Sequence, residues 1–268
     1  MKRPYLGLWT LLAISFVAFA ALSKCDGLDI GNIHLKTGTF VETLFTPAQA
    51  ETAKNAVKNA QSTNKANCKK AKKPRPAYIK TDTTSKTILF IGDSMLEGLG
   101  PRMAAYAKKN GDTLISVIWY SSTTEIWGRS KKLKEYIHQF HPNYILICLG
   151  ANELFIRDIK TKRQKYVDNM LSQIGNIPYV WIGPPNWKPD TGINELIESS
   201  VKENCFYLSD GQHYDRAKDG AHPTRKSAAQ WMDRVCKWIV ASSAHPIKLD
   251  VPTEAKAHCR TIVLQPVR

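Results

Sequence analysis

A serine directly behind an apolar run, and an aspartate and a histidine three residues apart ahead of a helix, supply the parts of an activated hydroxyl nucleophile. In this chain of 268 residues they are Ser94, within Ile91-Gly92-Asp93-Ser94-Met95, and Asp219 and His222, within Asp219-Gly220-Ala221-His222-Pro223-Thr224 about 125 residues later. A hydroxyl attacks poorly near neutral pH until an imidazole takes its proton and a carboxylate fixes the imidazole tautomer. Spacing by three on a loop lets Asp219 reach Nδ1 of His222 while Nε2 faces the serine. Taken singly, Ser94 reads equally well as a helix cap and Asp219-Gly220 as an ordinary turn. The combination points to a hydrolase.

Two further stretches lie between these blocks. Leu149-Gly150-Ala151-Asn152-Glu153 ends the strongest apolar run of the chain. Its glycine permits a tight turn, and the Asn152 amide can project a hydrogen-bond donor toward Ser94. Tyr120-Ser121-Ser122-Thr123-Thr124 follows another apolar run and offers one more backbone N–H, a softer signal. Trp127, Trp181 and Trp187 flank the ends of apolar runs, and Trp187 is the one best suited to stack on a sugar ring or line an acyl pocket. A hard-cation or zinc site can be assembled on paper from His213, Asp215, Asp210, Asp219 and His222. That assembly would leave the Ser94 and Asn152 blocks without a purpose, so the expectation is a reaction with no metal and no cofactor.

The elements that position these residues begin at Thr87. Strands are expected at 87–91, 113–119, 144–149, 179–182 and 205–208, and helices at 96–110, 130–140, 163–174, 191–203 and 225–241. The last helix carries Ala228, Trp231, Met232, Val235, Trp238 and Ile239 on one face, with Thr224 as N-cap. Continuous apolar strands alternating with helices imply a parallel sheet of five strands covered on both faces. In such sheets ligands bind at the carboxyl ends of the strands, which is where the chemistry-bearing stretches fall.

With these residues in place the chain resembles the SGNH (GDSL-type) hydrolases, a superfamily of esterases and lipases. Gly92-Asp93-Ser94 resembles the first block, Gly150-Ala151-Asn152 the third and Asp219-Gly220-Ala221-His222-Pro223 the last, over about residues 87–241. The resemblance implies a flavodoxin-like three-layer α/β/α sandwich. It also implies Ser94 as nucleophile, His222 as base, Asp219 as its orienting partner, and Asn152 with the Ser94 N–H in the oxyanion hole. Two departures stand out. Glu153 occupies the position that usually holds Asp in the third block. The second block's glycine, a third oxyanion donor in the family, aligns with Ser122 or with Ser121.

Composition bounds the surroundings. The formal charge is +15, and residues 51–80 carry nine Lys/Arg against one acidic side chain. Such a balance favours anionic surroundings: nucleic acid, lipid headgroups or acidic polysaccharide. No zinc-finger spacing or RNA-recognition signature accompanies the charge, so nucleic acid is not expected as partner. Lys2 and Arg3 precede an uncharged apolar stretch to Ser23, which reads either as a cleaved signal peptide or as a retained membrane anchor. A lipoprotein reading through Cys25 is weaker, because Lys24 sits where a small residue is wanted. Residues 24–86 read as a basic low-complexity linker or stalk, 87–242 as the catalytic domain and 243–268 as a tail. Six cysteines allow 15 complete pairings that sequence does not rank, and Cys148 reads as a buried free thiol. The expectation is an exported serine esterase, periplasmic or membrane-anchored, that removes acetyl or other short acyl groups from a glycan. An O-acyltransferase with the same residues, or a silent glycan-binding module, is the alternative.

Overall fold

The computed structural model describes residues 28–30, 33–35, 79–209 and 211–266. The expected signal or anchor at 1–23 and most of the linker lie outside the described residues. The chain divides into two units, Met1–Lys72 and Lys73–Arg268. In the first, β1 (Leu28–Ile30) and β2 (Ile33–Leu35) pair antiparallel as a short hairpin. Among the described residues, no helix is long and apolar enough to cross a membrane.

In the second unit the apolar runs become β3 (Thr87–Gly92), β4 (Thr113–Trp119), β5 (Tyr144–Cys148), β6 (Tyr179–Ile182), β7 (Phe206–Tyr207) and β8 (Arg260–Leu264). They form one parallel sheet in the order β7-β6-β5-β3-β4-β8. Without β8 this is the flavodoxin-like order, whose ligand crevice lies where the chain reverses its direction of travel across the sheet, between β3 and β5. Continuous burial along β3 and β5 splits by alternation onto two faces. Ile88, Phe90, Leu146 and Cys148 face α1 (Leu96–Asn110) and its neighbour α6 (Arg225–Ser242). Leu89, Ile91, Ile145 and Ile147 face α2 (Thr124–Arg129), α3 (Lys132–Phe140), α4 (Ile159–Ile174) and α5 (Ile193–Ser200). The result is three layers.

The expected strand count, domain bounds and helices need correction. The sheet has six strands rather than five, and the sixth comes from what reads in sequence as a tail. Among the described residues β8 pairs only with β4, and its residues are exposed or half-exposed, so no buried period marks it. The segment leading to it runs back along α1, where Ala257 N–H donates to the Pro101 carbonyl (2.9 Å) and Arg102 to the Glu254 carbonyl (2.7 Å). The body also begins ahead of Thr87: Asp82 N–H donates to Pro246 O (2.8 Å) and Lys248 N–H to Asp82 O (2.9 Å). α2 is a further helix with no counterpart in the sequence reading, capped by Thr123 Oγ1, which accepts from Ile126 N–H at 3.3 Å.

Candidate active site

Ser94 leaves the end of β3 through a turn that only a bare backbone permits. A Cβ on Gly92 would sit 2.4 Å from the Cys148 carbonyl oxygen and 2.3 Å from Leu96 Cδ1. Asp93 then turns inward, and its Oδ1 accepts the Met95 N–H at 2.9 Å where α1 begins. The Ser94 side chain is not spent on capping that helix. Its Oγ lies 2.7 Å from Nε2 of His222.

His222 stands on a small loop closed on itself. Arg216 and Pro223 form an antiparallel bridge, Ala217 N–H donates to the His222 carbonyl (2.8 Å), and Thr224 N–H to Asp215 O (2.8 Å). The Arg216 guanidinium spans from Ala221 O (2.7 Å) to Pro185 O (3.1 Å), tying this loop to the one after β6. Asp219 Oδ2 lies 2.7 Å from His222 Nδ1, while Oδ1 accepts the Ala221 and His222 N–H groups at 2.9 and 3.0 Å. Those contacts, the His222 N–H first, then the Ala221 N–H and the imidazole, hold the Asp219 carboxyl down at about 2. The carboxylate therefore stays charged across any ordinary pH and fixes the imidazole with Nδ1 protonated and Nε2 toward the serine.

Asn152 enters from the end of β5 behind Gly150, whose φ of +122° belongs to glycine. Its Nδ2 donates to the Ser122 carbonyl at 2.9 Å and reaches Asp93 Oδ2 at a long 3.4 Å. One amide hydrogen is thus anchored, and the other has no partner at full hydrogen-bond strength. Ser122 itself is fully buried and committed to the fold. Its N–H closes a turn onto Trp119 O (3.1 Å), its Oγ accepts from Trp127 Nε1 (3.0 Å), and its carbonyl holds Asn152. The Ser122 N–H is therefore spent within its own turn, which passes through Ser121 at φ 56°. Ser122 positions Asn152 instead of donating beside it. Trp187, half-buried, donates its Nε1 to the Ala151 carbonyl at 2.9 Å and lies beside Asn152 on the rim. His213 and Asp215 are solvent-exposed, with Nε2 and Oδ1 3.9 Å apart, and Asp210 lies outside the described residues.

Three further residues, none read from sequence as part of the site, support it. Asp93 is 1% exposed, and burial raises its carboxyl to about 7 against the opposing pull of the Met95 N–H and His222, with Glu153 adding to the rise. A carboxyl at the buried end of an apolar strand is the pattern that would have flagged it. Glu153 is fully buried; its Oε2 accepts from Thr124 N–H and its Oε1 from the Thr124 hydroxyl, both at 2.9 Å, and Oε1 pairs with Arg163 Nε at 2.7 Å. This links the Asn152 turn to α2 and α4. Arg216, described above, is the third.

No protein-family model matches the chain, and no curated protein matches it either. Among solved structures, the chain is similar to the psychrotrophic esterase EstA from Pseudoalteromonas sp., inhibited by monoethylphosphonate (21% identity, 57% of this chain and 96% of that one, TM-score 0.42). It is also similar to a family 3 carbohydrate esterase of Clostridium thermocellum (16% identity, 56% and 94%, TM-score 0.41). A third is a protein of Desulfitobacterium hafniense DCB-2 named as lipolytic and of the G-D-S-L family (13% identity, 57% and 98%, TM-score 0.39).

Proposed function

We propose that the chain is a serine ester hydrolase of the SGNH type that removes acetyl or other short acyl groups from a glycan outside the cytoplasm. The observation that carries the reading is the relay from Ser94 Oγ to His222 Nε2 and from His222 Nδ1 to Asp219, each link 2.7 Å. In this reading His222 takes the Ser94 proton as Oγ attacks the ester carbonyl. The tetrahedral oxygen is held by the Ser94 N–H and by the Asn152 amide hydrogen that otherwise makes only the long contact to Asp93 Oδ2. His222 returns the proton to the leaving alcohol, and water, activated by the same imidazole, then releases the acid.

Trp187 and the exposed Phe155, with Lys188 over both rings, form an aromatic rim suited to a sugar ring. The basic, apolar N-terminal stretch supports export, periplasmic or membrane-anchored. A fluorophosphonate probe tests the reading: it is expected to label Ser94, and Ser94→Ala to lose the label and turnover by a factor on the order of 10⁶. Ester turnover undiminished in purified Ser94→Ala protein would overturn it. Product analysis with an acceptor sugar present separates hydrolysis from acyl transfer.

A further inference from the structure

Beside the reactive relay, α1 and α6 both begin at the same rim of the sheet: Glu97 lies three residues past Ser94, and Arg225 three past His222. Gly98 packs so closely on α6 that a Cβ there would sit 2.6 Å from the Ala228 Cβ. Outside that contact, the two helices and the segment Pro252–His258 enclose a trough of about 810 Å³. This is room for a sizeable ligand.

Its charges are uneven. Arg225, Lys226 and Lys256 line it, all exposed and with no ion-pair partner among the described residues. The two carboxylates that also line it are already engaged, Glu97 by the Tyr120 hydroxyl and Asp233 by Arg102 (2.7 Å) and Tyr106 (2.9 Å). Arg225 and Lys226 moreover occupy the first turn of α6, which holds no acidic residue. The helix dipole disfavours cations there. A local arrangement that opposes its own helix is what a functional surface leaves behind.

We propose that this trough binds a carboxylated stretch of the polysaccharide whose acyl group is presented to Ser94, so that the substrate is an acylated polyuronate. The inference rests on the esterase reading and names its substrate class. Uronate carboxylates pair with Arg225, Lys226 and Lys256, and Gln230, Thr253 and His258 offer hydrogen bonds to ring hydroxyls. The lining contains no Phe, Tyr or Trp on which a nucleic-acid base could stack. None of the large exposed apolar residues (Phe155, Val240, Val251, Val263) lies in it, so it lacks what inserts into a bilayer.

The test is calorimetric titration of the Ser94→Ala protein with de-esterified oligogalacturonate and, in parallel, with a neutral cello-oligosaccharide of equal length. Selective binding of the oligogalacturonate is expected, weakened by added salt and weakened roughly tenfold or more in a further Arg225→Ala/Lys226→Ala/Lys256→Ala variant. Lys134→Ala, on the opposite helix layer, is expected to keep full binding. Equal binding of the neutral chain, or full binding by the triple variant, overturns the proposal. So does preferential binding of single-stranded DNA or phosphatidylglycerol vesicles that the triple variant loses. Wild-type turnover of p-nitrophenyl acetate is followed separately; its absence sinks the esterase reading, whereas the titration reports on the trough alone.

Discussion

Replacing Asp93 by Asn should make the protein's stability less dependent on pH. Asp93 is buried with one full hydrogen bond, and its carboxyl rises from an ordinary 3.8 to about 7. The folded state therefore holds this proton more tightly than the unfolded chain does. Stability from this group is complete below about 3.8 and declines as pH rises toward 7. Over the whole range the shift of about 3 units corresponds to about 4 kcal/mol, of which roughly 3 kcal/mol falls between pH 5 and pH 8. Asn keeps an oxygen for the Met95 N–H and has no charge to lose. Urea unfolding followed by tryptophan fluorescence, on wild type and Asp93→Asn at both pH values, reads the difference directly. Wild type should lose roughly 3 kcal/mol more than the variant on going from pH 5 to pH 8. If the two lose stability in parallel, within about 0.5 kcal/mol, the buried carboxyl is ionised throughout and the reasoning fails.

Asn152→Ala should lower kcat/KM on p-nitrophenyl acetate by about 10²–10³, the scale of one oxyanion donor, with the larger part in kcat; steady-state kinetics on the purified variant checks it. Arg163→Met should destabilise by about 3–5 kcal/mol, because Glu153 is left charged and buried without its cation. Adding Glu153→Gln to that variant should recover part of the loss in urea unfolding. Both experiments separate the donor from the scaffold that aims it.

That Ser94, His222 and Asp219 could be picked out in sequence follows from their places at the ends of strongly marked elements. Ser94 follows a run of apolar residues that is buried without a break, and His222 precedes a helix with a clear apolar stripe and a Thr224 cap. Three-residue spacing on a loop is enough to pair Asp219 with His222. Backbone direction was not legible. That the Ser122 N–H closes a turn onto the Trp119 carbonyl, with Ser121 at positive φ, is not reported by spacing or composition for a serine. Glu153 looked like a minor departure from a family pattern, yet the extra methylene lets it serve Thr124 and Arg163 together. β8 was hidden for another reason: an exposed edge strand has no inside to give it a period.

That edge strand comes after every other part of the site in chain order. Leu264 supplies the acceptor for the Tyr120 N–H (3.0 Å), and Gln265 the one for Trp119 Nε1 (2.9 Å), so β8 clamps the very turn whose Ser122 carbonyl steers Asn152. Ribosomes deliver nucleophile, amide and base in that order, and the brace only after all three. A nascent chain that already carries Ser94, Asn152 and His222 still lacks the strand that braces the Ser122 turn.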